Sequence, residues 1–138
     1  MGQLRSDDFN SPVTGIALSG DANCVAASLL NGKIGLVERA TGEVLSEYSG
    51  HKAGNYSLGV SLLSDSTTLA SCSEDGYTYL YDLVKRTVIS KLDEESSSNT
   101  SSSGGFVRSG AVISVSAHPD KNILLAANSK DKYALCYR

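Results

Sequence analysis

LASCSEDGYTYLYDL, residues 69–83, decides the fold. Read as extended chain, it puts Tyr77, Tyr79, Tyr81 and Leu83 on one face and Thr78 and Leu80 on the other. That is a period of two, enriched in aromatic and β-branched residues, as a strand requires. Helical spacing would scatter the tyrosines around the axis. Asp75 and Gly76, just before the run, form a turn dipeptide of the kind that joins two antiparallel strands.

The same text recurs along the chain. GIALSGD from Gly15 falls on GVSLLSD from Gly59, an offset of 44 residues, and the register then holds without a gap. Ala26 meets Ala70, Gly32 meets Gly76, Leu36 meets Leu80, and Val44 meets Val88. A third copy follows, with SVSAHPD from Ser114 repeating the first motif and LAANSKDKYALCYR from Leu125 tracking LASCSEDGYTYLYD from Leu69. Turn signals at Gly20–Asp21, Asn31–Gly32, Thr41–Gly42, Ser64–Asp65, Asp75–Gly76 and Pro119–Asp120 cut each copy into short strands. Four strands in a unit of about 40–45 residues is a propeller blade. Residues 13–18 and 25–30 are nearly continuous apolar runs, as in strands covered on both faces by neighbouring blades.

Gly50–His51, Ser71, Asp75 and Tyr81–Asp82 fall where the WD-repeat family carries its signature, and the chain resembles that family. The resemblance implies a hydrogen-bonded tetrad of His51, Ser71, Asp75 and Tyr81 that fastens the loop before a blade to its middle strands, with Tyr81 where tryptophan is usual. Ala27, Asn31 and Val37 replace the tetrad residues in the first copy. Ala127 replaces the serine in the third, which keeps Asp131 and Tyr137.

The expected fold is therefore all-β: a partial WD-repeat β-propeller of about three four-stranded antiparallel blades, its ring incomplete. Residues 1–10 are expected to be the outer strand of a preceding blade, because GQLRSD resembles GEVLSE from Gly42. Blades are expected over 11–50 and 51–92, a disordered serine-rich loop over 93–110, and an incomplete last blade over 111–138. Closing the ring would need further blades or self-association, since propellers have about four to eight.

Within the WD-repeat family, TGEVLSEYSGHK, Tyr56 and SCSEDG followed by YDL resemble the mitogen-activated protein kinase organizer proteins. That resemblance implies the last three blades of a larger ring. It also implies a scaffold for kinase-cascade components or, alternatively, a spliceosome-associated mRNA-processing factor, in cytoplasm and nucleus. Tyr81 and Tyr137 in place of tryptophan, and the inserted DEESSSNTSSSGG, depart from the pattern.

Composition and motifs agree with a protein-binding platform. A net charge of -3 leaves no basic field for nucleic acid. No apolar run is long enough for a membrane helix, and MGQLRSDDFN lacks the apolar core of a secretory signal, so an intracellular setting is expected. Cys24, Cys72 and Cys136 form no CxxC pair and read as reduced thiols, so neither metal nor cofactor is expected. A serine-histidine-aspartate triad from Ser71, His51 and Asp75 would need an exposed nucleophile, whereas Ser71 lies in an apolar strand; no enzyme is expected. Asn99–Thr100–Ser101 spells a glycosylation acceptor that an intracellular chain would not use, and serines beside Asp93, Glu94 and Glu95 could take phosphate. His118–Pro119–Asp120 occupies a strand turn rather than the helix junction of J-domain cochaperones. Partner contacts are expected on the rim loops, near Lys52, Asn55, Glu74, Arg108 and Lys130.

Overall fold

The computed structural model describes residues 9–92, 110–130 and 134–137. The alternating runs become strands. One sheet is β1 (Val13–Leu18), β2 (Cys24–Leu29), β3 (Lys33–Glu38) and β4 (Val44–Ser49). The second is β5 (Val60–Leu62), β6 (Thr68–Cys72), β7 (Thr78–Asp82) and β8 (Thr87–Leu92). The third, among the described residues, is β9 (Val112–Ala117), β10 (Leu124–Asn128) and β11 (Ala134–Tyr137). Neighbouring strands are antiparallel throughout, and no helix occurs among the described residues.

The repeat seen as text is also a repeat of geometry. Gly32 and Gly76 adopt φ of +87° and +89° in equivalent turns, the left-handed region that glycine enters without steric cost. Asn31 Oδ1 accepts the Lys33 N–H at 3.1 Å, and Asp75 Oδ1 accepts the Tyr77 N–H at 3.2 Å. Each complete sheet has a register shift at the same place, at Leu36/Val37 and at Leu80/Tyr81, which bends its outer strand.

Successive sheets stack face to face and share two cores. Ala26, Ile34 and Tyr48 of the first sheet pack with Val60, Leu69, Tyr79 and Tyr81 of the second. Leu58, Ala70 and Cys72 on the far side of the second pack with Val112, Val115, Leu124 and Ala126 of the third. Hydroxyls stitch the first junction: Thr14 Oγ1 and Ser28 Oγ donate to the Leu58 carbonyl at 3.0 and 2.7 Å. Gly15 permits this approach, because a Cβ there would lie 3.0 Å from the Leu58 carbonyl oxygen and 3.1 Å from Gly59 Cα.

The third sheet departs from the textual alignment. Leu69 pairs with Tyr81, and the residue that pairs with Tyr137 is Leu124 rather than Leu125. Strand β10 is thus slid by one residue, and a one-residue slip exchanges faces: Leu124 is 3% exposed and Leu125 46%. Ala126, not Ala127, therefore stands where Ser71 stands in the second sheet.

Among the described residues the outer faces of the first and third sheets carry exposed apolar side chains. Val60 is 6% exposed, covered by the first sheet, while its counterpart Ile16 is 72% exposed. Phe9 lies against Gly35 on that outer face; a Cβ on Gly35 would come within 3.1 Å of its ring. On the opposite outer face Leu125 and Cys136 are exposed. Residues 1–8 of the expected first strand and 93–109 of the expected serine-rich loop lie outside the described residues.

Candidate protein-binding rim

Strand direction alternates within each sheet, so the segment entering the first strand meets the turn between the second and third strands at one end. Leu30 N–H donates to the Pro12 carbonyl at 2.9 Å, Glu74 N–H to Lys52 at 2.8 Å and Ser129 N–H to Ala111 at 2.8 Å, the same latch in three sheets. These connections form one rim, and the longest described loop on it, residues 50–59, joins the first sheet to the second.

One side-chain pair fastens that loop, and a second lies beside it within the second sheet. Tyr81 is fully buried, and its hydroxyl accepts the His51 backbone N–H at 3.0 Å and meets His51 Nδ1 at 3.0 Å. The Tyr79 hydroxyl donates to Asp75 Oδ2 at 2.5 Å. The rings of His51, Tyr79, Tyr81 and Tyr48 contact one another at centroid distances of 5.9–6.5 Å. Burial lowers the His51 pKa, with the Asp75 carboxylate opposing, so the imidazole is held neutral. Burial raises Tyr79, reinforced by its hydrogen bond to Asp75.

The four residues expected to form one tetrad are thus divided. His51 and Tyr81 join directly, Asp75 turns to Tyr79, and the buried Ser71 donates its hydroxyl to the Cys72 carbonyl at 3.1 Å. Ser73 is the hydroxyl that holds the histidine loop, accepting the Lys52 N–H at 2.9 Å. Tryptophan offers only an N–H donor, whereas the tyrosine hydroxyl both donates and accepts and so reaches the histidine without an intermediary. Sequence alone did not select Ser73, because Ser71 and Ser73 are two apart and an alternating pattern treats them alike. This geometry also leaves no triad: Ser71 is turned toward a carbonyl within its own strand.

Three of the rim residues expected from sequence come together. Glu74 Oε1 accepts the N–H groups of Asn55 at 2.6 Å and Tyr56 at 3.0 Å, while Oε2 accepts Asn55 Nδ2 at 3.2 Å. Partial burial pushes the Glu74 pKa up, but these donors and the Gly54 N–H outweigh it and hold the carboxyl below its ordinary range. Glu74 is therefore the clamp of the loop, and Lys52, Asn55 and Tyr56 are its outward face. Tyr56 is 46% exposed. Lys130 sits on the same rim in the third sheet, and Arg108 lies outside the described residues. Among the described residues no group of three metal-ligating side chains forms, and no helix is long and apolar enough to cross a membrane.

The family model described as "WD domain, G-beta repeat" matches residues 42–82, from the start of β4's approach to the end of β7. WD repeat domain-containing protein 83 of Danio rerio is 37% identical over 127 residues, covering 92% of this chain and 36% of the relative. The Homo sapiens protein of that name is 38% identical over the same shares. A homolog from Dictyostelium discoideum is 26% identical over 129 residues, covering 94% of this chain and 36% of the relative. The chain spans about a third of the length of these curated relatives.

Proposed function

The chain is a WD-repeat protein, and from that premise we propose that its loop rim is a docking platform on which kinase-cascade proteins assemble. WD-repeat proteins generally act by binding other proteins. The observation that carries the rim assignment is the Glu74 clamp: it fixes the backbone of residues 54–56 while leaving Lys52, Asn55 and Tyr56 facing solvent. A surface loop ordered in this way meets a partner with little left to lose in conformational entropy. The resemblance to the kinase-organizer proteins supports the choice of partner class and the reading of these sheets as the last three blades of a larger ring, working in cytoplasm and nucleus.

The test is alanine substitution at Lys52, Asn55 and Tyr56 in the protein, followed by measured binding to purified kinase-cascade components. The expected result is weaker binding with an unchanged melting temperature. Unchanged binding would remove the rim from the proposal. Splicing components binding in place of kinases would reassign the platform.

A further inference from the structure

Charge is distributed unevenly between the two ends of the sheets. Among the described residues the rim opposite the loops carries Asp21, Glu38, Glu43, Asp65, Asp82 and Asp120 against Arg39, Lys85, Arg86 and Lys121. The loop rim carries, among the described residues, Lys33, Lys52, Lys91 and Lys130 against Glu47, Glu74 and Asp75.

Among the described residues all three carboxylates of the loop rim are engaged within the chain. Glu74 is clamped by backbone N–H groups, Asp75 accepts the Tyr79 hydroxyl, and Glu47 lies 3.8 Å from Lys33. Lys91 rides over the Tyr79 ring at 5.0 Å. Lys52 and Lys130 are exposed and have no carboxylate partner among the described residues. A short path joins them: Lys52 N–H to Ser73, the Ser73 carbonyl to the Val112 N–H at 2.9 Å, and the adjoining Gly110, beside which Lys130 packs. The loop between them already closes on a carboxylate, since the N–H groups of residues 54–56 converge on Glu74.

We propose that the loop rim recognises an acidic segment of a protein partner, with Lys52 and Lys130 meeting its carboxylates and exposed Tyr56 taking an apolar side chain. This rests on the platform reading and names the partner's chemistry. Charge complementarity of this kind sets encounter rate and specificity, and aromatic residues beside it anchor the contact.

Three short fluorescein-labelled peptides test it by anisotropy: one rich in Glu and Asp around a central Leu-Tyr pair, one with Lys at each acidic position, one with Ser there. The acidic probe is expected to bind tightest and to weaken when salt rises from ~50 to ~200 mM. Lys52→Glu with Lys130→Glu is expected to weaken it about tenfold, whereas Lys85→Glu with Lys121→Glu on the opposite rim leaves it unchanged. Absence of binding by the acidic probe, equal binding of the serine probe, or indifference to reversal of Lys52 and Lys130 overturns the inference. The platform reading then still stands on its own test, the alanine series against purified partners.

Discussion

The Tyr81 hydroxyl lies 3.0 Å from both the backbone nitrogen and Nδ1 of His51, so one buried oxygen ties a loop to the middle of a sheet. Two partners depend on that atom. Tyr81→Phe removes it while keeping the ring, which leaves a buried N–H and an imidazole nitrogen without a partner. The expected cost is about 2 kcal/mol, read from urea unfolding. A loss below a few tenths would mean that the loop is held elsewhere.

Ser71, in β6, and Ser73, just past its end, offer a direct comparison. Ser73 accepts the Lys52 N–H, whereas Ser71 donates to the neighbouring Cys72 carbonyl. Ser73→Ala is therefore expected to destabilise by about 1–2 kcal/mol and Ser71→Ala by about half that or less. Denaturation midpoints of the two variants give the order, and the reverse order would restore Ser71 to the fastening role.

Stability should fall on mild acidification. Burial depresses the His51 pKa in the folded state, so the unfolded chain takes up the proton more readily. The His51 contribution is then complete above the ordinary imidazole value of 6.5 and is lost as pH falls below it toward the folded value. Thermal melts between neutral pH and pH ~5 should show this decline. In His51→Gln it should be absent, and an unchanged slope would assign the decline to another group. The carboxyls of Glu74, Asp65 and Asp21, all held below their usual range, add losses only at still lower pH.

The thiols should divide by position. Cys72 is fully buried, and burial pushes its pKa up to about 12, while Cys136 is exposed. Iodoacetamide is expected to modify Cys136 promptly and Cys72 only after unfolding, because the thiolate is the reacting form. Peptide mass mapping before and after denaturant distinguishes them. Early labelling of Cys72 would mean that the second and third sheets separate readily.

Glu74→Gln should loosen the rim without unfolding the sheets. The amide keeps one acceptor oxygen where the carboxylate supplied two to the donors of Asn55 and Tyr56. Amide exchange at residues 54–57 is expected to rise severalfold with a melting temperature within a few degrees of the parent. Unaltered exchange would show that the loop is ordered by its other contacts.

Much of this architecture was legible before any coordinates. The alternation from Tyr77 to Leu83 and the 44-residue echo of Gly15 at Gly59 identified strands, sheet size and the stacking of like units, because pleat and turn chemistry act locally. The third sheet was misaligned by one residue, since consecutive leucines at Leu124 and Leu125 satisfy the text equally and only packing against Ala70 and Cys72 selects the first. The rim cluster of Lys52, Asn55 and Glu74 was foreseen as a loop surface, but the role of Glu74 as a clamp was not. A carboxylate's partners across an 18-residue separation follow from topology, not from spacing. Likewise Asp75 was placed in the tetrad, because the family pattern does not signal that Tyr79, four residues on in β7, competes for it.

Among the described residues two separate cores join the sheets, first to second and second to third. Such a row behaves as a one-dimensional array whose cohesion is a sum over adjoining members. Damage to the second sheet touches both of these junctions. The middle sheet divides this work between its faces: Tyr77, Tyr79 and Tyr81 serve the first junction, and Ala70, Cys72 and Leu80 the second.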